Sequence, residues 1–258
     1  DEINRTDLVE RVRRYARSYW RKRLSAEREL AGNDGPPPKV IELPVDRASF
    51  PKRDPGATVK QIDLADYYTG ELNEPFFLNF NTARHDSDLS GLPVGLVELG
   101  GVRFDIRGVV QLRLTTSSAG SWQVAWDSLP VRVEGIRVDQ QVRRFHLLVG
   151  TVQPEKEGVA VATLVLHGTD GSKAGLDLVY GRDVREWSWD PAKPDREASD
   201  RGRVVWTGSN PVALQANRSL RLYLTSLENP APGASIASVD FVSAMSGSAP
   251  FLVALTVE

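Results

Sequence analysis

The chain has 258 residues, a net charge of −2 and no cysteine. The absence of cysteine excludes disulfides, thiolate metal sites and thiol nucleophiles. The near-neutral balance argues against a general affinity for nucleic acid, and no run of roughly 18 apolar residues marks a membrane-spanning helix.

Residues 1–31 read as an amphipathic basic helix. Leu8, Val12, Tyr15 and Tyr19 recur at helical spacing, and Ala16 and Trp20 widen the stripe. Residues 1–30 hold nine basic and six acidic side chains, a local charge of +3, which leaves −5 on the rest of the chain. Arg11, Arg14, Arg17, Arg21, Lys22 and Arg23 interleave with Tyr15, Tyr19 and Trp20. Such a face suits an anionic membrane surface or an acidic protein partner. A helix packed on its own domain, with solvated arginines, is the competing reading. Residues 32–57 form a Pro-rich connector. Its stretches GNDGPPPK and FPKRDPG carry five of the 16 prolines, which favours an extended, stiff segment.

Residues 58–258 read as all-β, with about eleven strands by our count. Val102, Phe104 and Ile106 alternate with Arg103, Asp105 and Arg107. Val131 and Val133 share one parity, and Ile136 and Val138 resume out of step at Gly135, as a β-bulge would produce. Residues 159–166 are apolar on both parities and predict a strand covered on both faces. Asp170-Gly171 predicts a tight turn. Residues 221–244 read as a hairpin closed by Asn229, Pro230, Pro232 and Gly233. No helix is predicted in this zone. Strands at this spacing point to a sandwich or barrel.

Six segments carry a resemblance: IDLADYYTGEL (62–72), LPVGLVELGGVRFDI (92–106), PVRVEGIRVDQQVRRFHLLVG (130–150), DGSKAGLDLVYGRDVREWSW (170–189), VVWTGSNP (204–211) and LYLTSLENPAPGASIASVDFVS (222–243). Their order resembles the galactose-binding-like jelly rolls of carbohydrate-binding modules appended to large multidomain bacterial proteins. The resemblance covers residues 58–258. It implies a two-sheet jelly-roll β-sandwich without catalytic residues of its own, with glycan binding known for the wider group. Such sandwiches often hold a structural calcium ion, but no acidic loop here matches a calcium signature.

Motifs for chemistry are sparse. There is no Gly-x-Ser-x-Gly turn and no His-Glu-x-x-His. His85, His146 and His167 lie far apart in sequence, so neither a metal nor another cofactor is expected. Asp183, Glu186 and Asp190 surround Trp187 and Trp189, the pairing of acids and aromatic planes that sugar sites use. Tyr67 and Tyr68 are further rim candidates. Each aromatic has a competing role in the core, as do Trp122 and Trp126. The expectation is therefore a non-catalytic interaction module, a scaffold or accessory subunit docked through residues 1–31, with a glycan as candidate ligand. The alternative is a glycan hydrolase using the Asp183–Asp190 region. An Asp-Glu start without methionine and the habits of the resembling sandwiches point to an extracytoplasmic location.

Overall fold

The computed structural model describes residues 47–74, 88–115, 129–193 and 201–258. Residues 1–31, predicted as a basic helix, most of the segment predicted as a connector, His85, Trp122 and Trp126 lie outside the described residues. The described part is mostly β, with antiparallel sheets in a sandwich-like arrangement. Its strands are β1 (Gly95–Leu99), β2 (Val102–Ile106), β3 (Val110–Gln111), β4 (Arg132–Gln141), β5 (Arg144–Val152), β6 (Ala160–Gly168) and β7 (Lys173–Val179). They continue with β8 (Ser188–Trp189), β9 (Gly202–Gly208), β10 (Ser219–Glu228), β11 (Ser235–Ser243) and β12 (Ala249–Val257). A short helix, α1 (Pro211–Gln215), was not expected from the sequence. Asn210 caps it by accepting a 2.7 Å hydrogen bond from the Ala213 N–H.

One sheet runs β3-β12-β5-β10-β8, with β9 also paired to β10; the other runs β4-β11-β6-β7. Between them lies the first core, built from Phe145, Leu147, Tyr223 and Leu255 on one side and Ile136, Leu164, Leu166 and Phe241 on the other. A second core covers the opposite face of the larger sheet. There Leu148, Leu222, Phe251 and Val253 pack against Phe104 and Ile106 of the β1–β2 hairpin, together with Leu89, Leu92 and Ala213. The larger sheet is thus buried on both faces, and all nine residues of β12 are buried. Such strands lose polar alternation because neither parity meets water.

Segment 159–166 does not behave this way. Ala162, Leu164 and Leu166 of β6 face the core, but Thr163, Val165 and His167 on the other parity are only half-buried. The doubly covered strands are β5, β10 and β12 instead. A small aliphatic residue such as Val165 is tolerated on a half-open face, and this made the run look central.

Segment 221–244 also departs from expectation. β10 and β11 belong to different sheets, so the turn at Asn229–Ala234 carries the chain across the sandwich and does not close a hairpin. Asn229 fixes that crossing: its side-chain amide donates to the Val142 carbonyl at 2.8 Å, and its Oδ1 accepts from the Ala231 N–H at 3.0 Å.

The bulge at Gly135 is present. The β4–β11 register shifts there, with Ile136 opposite Val239 and Val133 opposite Phe241. Gly135 adopts a φ of 70°, and its N–H donates to Asp240 Oδ1 at 2.8 Å. The Asp170-Gly171 turn joins β6 to β7, with Gly171 at a φ of 84°.

Residues 50–68 wrap the edge of β12. The Ile62 N–H donates to the Leu255 carbonyl, and the Val257 N–H to the Lys60 carbonyl. Phe50, at the end assigned to the connector, is buried against Tyr68, with ring centroids 5.0 Å apart.

Candidate functional site

The acidic-aromatic cluster occupies the corner between β7 and β8. After β7, a tight loop lets the Asp183 N–H donate to the Val179 carbonyl at 2.9 Å. Its side chain folds back so that Oδ2 accepts from the Val179 N–H at 2.7 Å. Arg201 grips both oxygens, Nε to Oδ1 at 2.6 Å and Nη2 to Oδ2 at 2.7 Å. Arg182 adds a 3.0 Å bond to Oδ2. The Asp183 side chain is 0% exposed, and its carbonyl accepts from the Thr225 hydroxyl at 2.6 Å. A carboxylate has about four acceptor positions, and these donors occupy them. Asp183 therefore ties the β7–β8 corner to the chain entering β9 and to β10.

The tryptophans follow the same logic. The Trp187 N–H donates to the Thr151 carbonyl at 2.9 Å, and the residue is 2% exposed in the second core. It meets Phe251 edge-on at 5.9 Å. Trp189 is half-buried, with the Arg221 guanidinium 4.9 Å from its ring centroid. Arg221 is itself buried and lies over Tyr223 as well, at 5.4 Å. The stacking surface of Trp189 thus serves an internal cation–π contact. The Glu186 carboxylate lies 4.0 Å from Arg218. Asp190 Oδ1 accepts from the Ala192 N–H at 3.0 Å, and its Oδ2 lies 3.5 Å from Lys193.

Tyr67 and Tyr68 attach to other elements. The Tyr67 hydroxyl donates to the Gly135 carbonyl at 2.6 Å and so braces the β4 bulge. Tyr68 is fully buried in the first core, and burial raises the pKa of its hydroxyl above the ordinary tyrosine value. The described candidates take separate partners: Asp183 binds Arg201, Glu186 lies near Arg218, Trp187 enters the second core, Trp189 meets Arg221, and Tyr67 and Tyr68 belong to other elements.

A feature the sequence reading missed lies between residues 53–63 and β2. Asp105 and Arg107 stand on the parity opposite Val102, Phe104 and Ile106, yet both are buried. Arg107 Nε donates to Asp105 Oδ2 at 2.9 Å, its Nη2 pairs with Asp63, and Arg53 Nη1 lies 3.3 Å from Asp105 Oδ2. Burial raises the Asp105 pKa despite the neighbouring Arg107 and Arg53. Burial acts in the same direction on Asp63, but the Ala65 N–H and Arg107 outweigh it and lower the pKa. The signal in the sequence was an oppositely charged i, i+2 pair, which alternation alone assigns to water.

Above this network opens a shallow cleft of about 330 Å³, lined in part by Arg53, Gln61, Asp63, Arg137, Asp139 and Gln140. Arg137 pairs with Asp139 at 3.0 Å, and Arg53 lies 3.8 Å from Asp63. Its charges are matched internally, so the surface is polar without a net demand for a counter-ion. Among the described residues, no group of three or more His, Asp or Glu gathers at metal-binding range, and no helix is long and apolar enough to cross a membrane. No family model matches the chain, and no curated protein matches it.

Proposed function

We propose that this chain is a β-sandwich interaction module, a scaffold or accessory subunit docked to a larger assembly or membrane surface through residues 1–31. A glycan is its candidate ligand, the cleft beside Arg137 and Gln140 its candidate contact, and the cell envelope its location. The docking role needs no catalysis. One observation carries this reading: the Asp183 carboxylate and the Trp187 and Trp189 rings are spent on internal bonds. For the finer architecture we propose jelly-roll winding of the galactose-binding-like type. The interleaved orders β3-β12-β5-β10 and β4-β11-β6-β7 support it. A glycan hydrolase working through Asp183–Asp190 has less support, because a general acid or nucleophile needs a carboxylate free to reach substrate.

The test is gentle isolation of the full chain at low and high salt, beside a variant with Arg14, Arg17 and Arg21 changed to Glu. Co-isolation of a protein or anionic vesicles that weakens with salt and with charge reversal supports the proposal, since exposed charges are screened over about 8 Å at physiological ionic strength. A salt-independent association, or none, contradicts it.

A further inference from the structure

Three adjacent strands of the larger sheet bring a serine, a histidine and a glutamate into one hydrogen-bonded chain. Ser226 on β10 stands directly opposite His146 on β5. His146 in turn stands opposite Thr256 on β12, and Glu258 follows at the end of that strand. Ser226 Oγ lies 2.8 Å from His146 Nδ1, and His146 Nε2 lies 3.2 Å from Glu258 Oε2. Glu258 is held in turn by Arg143 and by Arg144, the latter at 3.4 Å. Ser226 is half-buried and Glu258 is exposed, so the row reaches solvent at the end of the sheet.

We propose that Ser226 is an activated nucleophile, with His146 as its general base and Glu258 as the positioning residue, and that it accepts acyl groups from small esters. The arrangement meets the geometric requirement for an activated serine: nucleophile and base in hydrogen-bond contact, and the base oriented by a third group. It went unseen in the sequence because sheet register, not a contiguous motif, assembles it. Burial, with the nearby Arg144 charge second, holds His146 below the ordinary histidine pKa of 6.5. The ring is therefore neutral at pH 7, with Nε2–H donated to Glu258 and Nδ1 free to accept the serine proton. As the Oγ–C bond forms, that proton passes to Nδ1. When the tetrahedral adduct collapses, the ester C–O bond breaks and His146 returns the proton to the departing alkoxide. Water then enters by the same route and releases the acid. Arg144, Arg143 and Arg203 lower the proton affinity of the same ring and Glu228 raises it; Arg144 Nη2 is itself paired with Glu228 at 2.6 Å. This activity is independent of the docking role and stands if docking fails.

The experiment treats the full chain with a biotinylated fluorophosphonate. Ser226 Oγ displaces fluoride from phosphorus, the proton goes to His146, and the adduct is located by peptide mass spectrometry. The expected result is a Ser226 adduct whose rate of formation follows one group titrating below pH 6.5. His146→Gln should slow it about a hundredfold, the low end for loss of a general base. Glu258→Gln should slow it less and move the midpoint to lower pH. No adduct at Ser226 on the unaltered chain overturns the proposal, whatever the variants do. An adduct forming equally fast in a folded His146→Gln variant overturns it too.

Discussion

The outward faces of the two sheets differ sharply. On the larger sheet, Leu148, Leu222 and Phe251 lie under the β1–β2 hairpin and are buried. On the smaller sheet the corresponding parity carries Thr163, Val165 and His167 of β6, Lys173 and Asp177 of β7, and Asp240 of β11. Polar side chains there satisfy one another: the Thr163 hydroxyl donates to Asp177 Oδ1 at 2.7 Å, and His167 Nε2 lies 2.7 Å from Asp240 Oδ2. One face is a second hydrophobic core and the other is a polar, partly exposed surface. Burial of both parities, not strand propensity, separates them.

The sharpest way to break this contrast is truncation on each face. Phe251→Ala should cost about 3–5 kcal/mol by denaturant unfolding, because it empties a site shared with Trp187 and Gly150. Val165→Ala, on the half-open face, should cost about 1 kcal/mol or less, since less apolar surface returns to water. Equal losses would mean that the hairpin layer does not seal the larger sheet. Next in size, Gly135→Ala should cost about 1–2 kcal/mol. Space is open around it, so the penalty comes from the positive φ alone. No loss there would mean that the β4 bulge relaxes without cost.

A smaller effect concerns pH. His146 has a folded-state pKa below 6.5, so between the two values the unfolded chain binds more protons than the folded one. Its contribution to stability is complete above pH 6.5 and is lost as pH falls through the folded pKa. His146→Gln should flatten that limb of the stability-pH curve relative to the unaltered chain, measured by thermal unfolding. An unchanged slope would place the ring in water. Smallest of all, Thr163→Ser on the open face keeps the bond to Asp177 and should change stability by less than about 0.5 kcal/mol.

The sequence was legible where one physical demand acts alone. Alternation from Val102 onward and from Phe145 to Val149 revealed strands. The slip between Val133 and Ile136 revealed the bulge because Gly135 supplies the backbone conformation such an insertion needs. It failed where tertiary context reverses a local preference. Asp105 and Arg107 look solvent-facing but neutralise each other inside the edge formed by residues 53–63. Leu220, Leu222 and Leu224 show one buried parity, but nothing local says that the next strand, Ser235–Ser243, joins the other sheet. At 183–189 the sequence sets acids beside rings, and each takes its own partner: Asp183 binds Arg201, Trp187 meets Phe251 and Trp189 meets Arg221. The role of Asp183 depends on Arg201, which is remote in sequence and carries no motif.

The most direct test of the account is the Asp183→Ala variant, followed by denaturant unfolding and by capture of the partner or glycan. Removing a buried carboxylate held by two guanidinium groups should destabilise the chain by about 3 kcal/mol, while capture by the folded variant stays as it was. Full stability with capture abolished would contradict the account and return Asp183 to a ligand site.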